Sequence, residues 1–117
     1  MRVDLNPVVG SEANKVRPAV VVSNDGANRA VERFGRGVIT VAPITSNIAK
    51  VYPFQVLLAL DLTEMGLTAE SKVQVEQIRA VDVARIRQRL GRVPAALHEP
   101  LREALMIHLG LRSGRSS

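Results

Sequence analysis

GSEANKVRPAVVVSN, residues 10–24, passes from a glycine-led polar loop into a strand, and the passage turns on one proline. Pro18 is tolerated at the first residue of a strand, where no ladder N–H is needed. Val20, Val21 and Val22 follow, β-branched and suited to a packed, pleated surface. The residue before a proline is pushed towards extended backbone, so Arg17 is held at the mouth of a rigid element with its aim partly set by local sterics. A scaffold presents a functional side chain in this way.

Working outward, residues 3–5 read as the end of a first strand that Asn6-Pro7 breaks, with a loop from there to Arg17. Downstream, Asn24-Asp25-Gly26 is a turn signal that opens a polar excursion to residue 35. Residues 37–43 form the next strand, closed by Ile44, Thr45, Ser46 and Asn47, and residues 54–60 form another. Over residues 71–81, Val73, Val75 and Ile78 alternate with Lys72, Gln74 and Glu76, and the phase slips near Gln77. That pattern predicts one half-buried antiparallel strand carrying a bulge.

Asp82 is placed to cap a short helix over residues 83–89, and residues 90–93 return as a brief strand. The last element is a helix over residues 94–109, with Leu97, Leu101, Ala104, Leu105, His108 and Leu109 in one apolar stripe. Pro94 fits its first turn, whereas Pro100 must kink the helix or move its start. Four or five short strands and a terminal helix predict a small, strongly bent antiparallel sheet or open barrel with the helix packed on it. Such a sheet buries only one face well, which favours an oligomer. A single domain over residues 1–111 is expected, with 112–117 as a flexible tail.

The 117 residues are 46% hydrophobic, enough for a folded core, and no apolar run approaches the roughly 18 residues of a membrane span. The start MRVDLNP lacks the apolar segment of a secretory signal, so a cytoplasmic location is expected. With no cysteine there is no disulfide and no thiolate metal site. The net charge is +5, and thirteen of the sixteen cations are arginine. The guanidinium fork matches phosphate oxygens, which points to a phosphate-bearing partner. The cations are nevertheless spread along the chain rather than gathered in a basic tail.

His98 and His108 are ten residues apart on the terminal helix, about 15 Å along its axis, too far to share a metal or a proton. No glycine-rich phosphate loop is present. The remaining candidates are polar groups at strand ends: Glu12, Arg17, Thr45, Ser46, Asn47, Ser71 and Gln77. Each has a purely structural alternative. Arg17 also reads as a solvated loop cation with Glu12 as its partner, Thr45 as a turn hydroxyl, Ser71 as a cap and Gln77 as a bulge filler.

The segments VDLNPVVGSEANKVRPAVVVSND, VAPITSN, YPFQV, EQIRAVD and RLGRV, in this order and spacing, resemble the PemK/MazF family of toxin endoribonucleases. The resemblance covers residues 3–111, although only Met1 and Arg2 precede VDL where family members carry a longer first strand. It implies an SH3-like β-barrel with a C-terminal helix, forming a homodimer that binds single-stranded RNA. It further implies cofactor-free, metal-independent cleavage to 2′,3′-cyclic phosphate and 5′-hydroxyl ends, and a cognate antitoxin as partner. DNA would be met only through the antitoxin complex, and no membrane is involved.

By position the family's catalytic arginine falls on Arg17, its catalytic hydroxyl on Thr45 and the glutamate of its GSE loop on Glu12, the one conventional base nearby. The resemblance places RNA contacts on Ser71 and Gln77. Lys15, Ser46, Asn47, Lys50 and Tyr52 are the further RNA-binding candidates, with Tyr52 the better stacking platform and Phe54 assigned to the core. Two other readings share the fold: a member that binds RNA or antitoxin without cutting, and a gyrase poison. The poison is disfavoured, because such proteins grip gyrase with an aromatic-bearing C-terminal end and this chain ends in SGRSS.

Overall fold

The computed structural model describes residues 7–11, 17–22 and 37–111. The first strand expected over residues 3–5, the polar excursion over 25–35, Glu12, Lys15 and the tail lie outside the described residues. Within them, seven strands form one sheet: β1 (Pro7–Ser11), β2 (Arg17–Val21), β3 (Val38–Thr45), β4 (Gln55–Leu58), β5 (Ser71–Gln74), β6 (Arg79–Asp82) and β7 (Ile86–Arg92). Their order is β4-β5-β3-β2-β1-β7, with β6 paired to β3, and every pairing is antiparallel. The path is open, so the expected bent sheet with a terminal helix is present and does not close into a ring among the described residues.

The apolar run of β2 is buried on both faces. Val20, Ala42 and Ile44 join Val56, Leu58, Met65, Val73, Val75 and Val93 in the larger core, which Leu101 and Ala104 of the terminal helix (His98–His108) cover. Ala19 and Val21 point the other way, into a second cluster with Ile39, Val41 and Val81. Alternation of side chains along a strand makes this division automatic, and it explains why the β2 sequence is continuously apolar rather than alternating.

Several expectations are corrected. Pro7–Ser11 is a strand rather than a loop, because its backbone finds partners on both sides, β2 and β7. The strand expected over residues 71–81 is two strands, interrupted by a 3-10 turn at Val75–Gln77 rather than by a bulge. Asp82 does act as a cap, its side chain accepting the Ala84 N–H at 2.8 Å, but one 3-10 turn (Val83–Arg85) is all that follows. Pairing with β1 makes Ile86–Arg92 one strand, so the return strand expected over residues 90–93 starts four residues earlier, inside the span where a helix was expected.

Pro100 is the third residue of the terminal helix, inside the first turn whose N–H groups have no intrahelical partner, so it moves the start and makes no kink. The apolar stripe is also narrower than expected, since His108 and Leu109 are exposed. Phe54 belongs to neither core cluster; it is half-buried and stacked on Tyr52.

A short helix, Leu62–Met65, lies against β7. Two glycines permit this approach. Gly66 ends the helix with φ 73°, and a Cβ there would collide with the Leu90 backbone; a Cβ at Gly91 would meet the Glu64 carbonyl oxygen. Backbone atoms on both sides leave no room to yield, so Gly91→Ala is expected to cost about 1 to 3 kcal/mol, as overpacking does. Thermal unfolding of the variant against the parent chain checks this; an unchanged midpoint would show that the helix can shift away.

Candidate functional site: a cleft at the break in the sheet

β3 changes partners along its length. Residues Val38 to Val41 pair with β6, Ile44 and Thr45 pair with β5, and on the opposite side Val41 to Pro43 pair with β2. The Val22 N–H donates to the Thr40 carbonyl at 2.8 Å. Because ladder bonds alternate sides in an antiparallel pair, the backbone nitrogen of Pro43 faces away from β2, towards the gap between β6 and β5. Proline has no N–H to offer there, and the sheet parts.

The parting is a cleft of about 790 Å³, within the size range of ligand sites. Pro43, Ile44 and Thr45 line it from β3 and Ser46 from just beyond its end, Arg17 and Ala19 from β2, Gln74, Gln77 and Arg79 from the turn and strands across the gap, and Thr68 and Ser71 from the segment entering β5 and its first residue. Ala19 is opposite Pro43 and Val21 opposite Val41. Arg17, two residues before Ala19, and Thr45, two residues after Pro43, therefore share one face of the sheet. Arg79 joins them, since it is opposite Val41 on the other side. Among the described residues lining the cleft there are two guanidiniums and no carboxylate.

Of the expected residues, Arg17, Thr45, Ser46, Ser71 and Gln77 are brought together here. The Thr45 hydroxyl oxygen accepts the Asn47 N–H at 3.2 Å, which fixes the side chain and leaves its O–H to donate into the cleft. Ser71 is 5% exposed and donates its hydroxyl to the Ala69 carbonyl at 2.9 Å. Its remaining capacity is as an acceptor. Asn47, Lys50 and Tyr52 do not line the cleft; they lie on the exposed segment that leaves its rim after Ser46. Glu12 and Lys15 lie outside the described residues, in the connection between Ser11 and Arg17, which are themselves paired across the β1–β2 ladder.

Arg79 was missed by the sequence reading. The available signal was its place two residues before Val81 on the strand that pairs with β3, but the phase slip at Gln77 concealed which face it takes.

A rigid face that carries two guanidiniums and an oriented hydroxyl, with no acid among the described residues lining it, has the donor chemistry that suits a phosphate group. The fold is that of a small antiparallel β domain covered by one helix. Residues 1–109 match the family described as PemK-like, MazF-like toxin of type II toxin-antitoxin systems, and the chain belongs to that family.

The chain is similar to the endoribonuclease MazF9 of Mycobacterium tuberculosis, with 59% identity over 96% of this chain and 93% of that protein. The chain is also similar to the endoribonuclease EndoA of Bacillus subtilis, with 38% identity over 92% of this chain and 88% of that protein. The fold is also that of a mycobacterial endoribonuclease solved in complex with its cognate antitoxin, with a TM-score of 0.77 and 20% identity over 94% of this chain and 98% of that one.

Titration with inorganic phosphate is expected to shift the backbone amide resonances of Arg17, Thr45 and Arg79 first. Arg102, paired on the surface with Glu99 at 3.8 Å, serves as the internal control. Equal shifts at Arg102 and at the cleft would show that the cleft has no preference of its own.

Proposed function

We propose that this chain, an endoribonuclease toxin of a type II toxin-antitoxin system, cuts single-stranded RNA in the cleft at the break in the sheet, without a metal. The single observation that carries this reading is the shared face of Arg17, Thr45 and Arg79. In the reaction the 2′-hydroxyl loses its proton and its oxygen attacks the adjacent phosphorus. The bond to the 5′ oxygen breaks, that oxygen takes up a proton, and a 2′,3′-cyclic phosphate and a 5′-hydroxyl remain.

The costliest species on this path is the dianionic phosphorane, and fixed donors aimed at where its charge develops stabilise it most. Arg17 is assigned that task and proton donation to the leaving oxygen, and Arg79 a second contact to the phosphate. Thr45 donates its O–H to a phosphate oxygen. An arginine is a poor proton acceptor, so the base is assigned to Glu12, one residue beyond Ser11. Gln77, Ser71 and Ser46 are assigned contacts to the nucleotide in the cleft, and Lys15, Asn47, Lys50 and Tyr52 contacts to its neighbours.

The cognate antitoxin is the second partner, and its acidic tail would compete for the same cations. A homodimer is part of the same proposal, supported by apolar side chains left on the surface, among them Val38, Leu57 and Leu60. Contact with DNA is assigned to the antitoxin complex, and the site of action to the cytoplasm.

Arg17→Ala is expected to lose about 2 to 4 kcal/mol of transition-state stabilisation while keeping the fold. Initial cutting rates on a long single-stranded RNA, with thermal unfolding as the control, provide the test. Near-parental cutting by the variant would remove Arg17 from the mechanism.

A further inference from the structure

The segment that leaves the cleft rim at Ser46 and returns as β4 is held by two buried polar side chains, one from each of the strands beneath it. Gln55 is 8% exposed. Its Oε1 accepts the Tyr52 N–H at 3.1 Å, and its Nε2 donates to Glu76 Oε2 at 2.9 Å. Tyr52-Pro53-Phe54-Gln55 is a β-turn with proline in its favoured position, closed by Gln55 N–H to the Tyr52 carbonyl at 2.9 Å. Lys72, also 8% exposed, stands opposite Thr45 on β5 and donates its ammonium to the Lys50 carbonyl at 2.5 Å.

Between these anchors the exposed groups are fixed. The Tyr52 ring is parallel to Phe54 within 3°, with centroids 5.3 Å apart, and the Lys50 ammonium stands 5.5 Å from the Tyr52 centroid. Tyr52 still presents 43% of its surface to solvent. An aromatic ring with a cation beside it, held rigid and open, suits an unpaired base and the phosphate attached to it.

Gln55 also reaches the other wall. Glu76 neighbours Gln77 in the 3-10 turn that lines the cleft, and its second oxygen, Oε1, is buried with no hydrogen-bond partner among the described residues. The bond from Gln55 thus joins the outer segment to the turn that presents Gln77. Burying a polar group without a partner is costly, and the bond from Gln55 satisfies the other oxygen of the same carboxylate.

Resting on the ribonuclease reading above, we infer that Gln55 and Lys72 are positioning residues that set sequence selectivity. They hold Lys50 and Tyr52 in fixed register with Gln77, so that bases flanking the scissile nucleotide meet a preformed surface. Neither residue touches the reacting phosphate. Their loss should relax the choice of cutting site more than it slows cutting at the preferred one.

The test uses the full chain and three variants: Gln55→Glu, Gln55→Glu with Glu76→Gln, and Lys72→Met. Gln55→Glu sets two carboxylates against each other, and the double variant restores a donor and acceptor with the roles exchanged. Hydrogen exchange at the Tyr52 amide should accelerate roughly tenfold or more in Gln55→Glu, the amides of Val41 and Val73 staying at parental rates, and should recover in the double variant. Equal acceleration throughout the sheet would overturn the proposal in favour of a merely structural role.

Sequencing of cut ends should show the preference for the best site over its single-base relatives falling about tenfold in Gln55→Glu and Lys72→Met, and recovering in the double variant. Cutting at the best site itself should fall less than threefold in both. An unchanged preference with a freed Tyr52 would overturn the inference and leave the ribonuclease reading intact. If the parental chain retains RNA without cutting it, the same comparison is made on sequences retained from a random pool. If it does neither, the ribonuclease reading fails, selectivity falls with it, and Tyr52 exchange decides the anchoring alone.

Discussion

A missing hydrogen bond organises this molecule. Strand β3 is shared between β2 on one side and β6 then β5 on the other, and at the changeover stands Pro43, which has no N–H to give. The two partner strands cannot run on as one. The chain crosses between them in a single 3-10 turn, and the space so opened becomes the cleft. Antiparallel pairing continues elsewhere, with two register shifts between β1 and β7, and holds the strands that form the cleft walls.

The faces follow from the same register. Alternation assigns Val20, Ala42 and Ile44 to the core beneath the terminal helix, and leaves Ala19, Val21, Val41 and Val81 to the opposite cluster. Arg17, Thr45 and Arg79 extend that second face at its open end. Arg17 and Thr45 are therefore presented by strands that have partners on both sides, and Arg79 by a strand paired to β3, rather than by a loop. The outer segment from Ser46 to Phe54 has less backbone pairing of its own, and buried Gln55 and Lys72 supply what the ladder does not.

Much of this was legible from local sequence. The RPAVV step defined β2 and fixed Arg17 at its start, because proline and β-branched residues act on their immediate neighbours. The cap at Asp82 and the terminal helix were legible for the same reason. What escaped depended on distant partners. Pro7–Ser11 and the first half of Ile86–Arg92 are strands because the two segments pair with each other across most of the chain, a choice that local propensity does not record. Arg79 escaped because the break at Gln77 resets the alternation from which its face would be read. The larger role of Gln55 escaped because its partner Glu76 is 21 residues away.

We propose that guanidiniums and a hydroxyl at the break in the sheet perform the cleavage chemistry. This is tested most directly by incubating the purified chain with a long single-stranded RNA in EDTA and determining the chemistry of every new end. Cuts should cluster at one short motif, each leaving a 5′-hydroxyl and a 2′,3′-cyclic phosphate. Cutting that stops on chelation, or that leaves 5′-phosphates, would contradict the proposal.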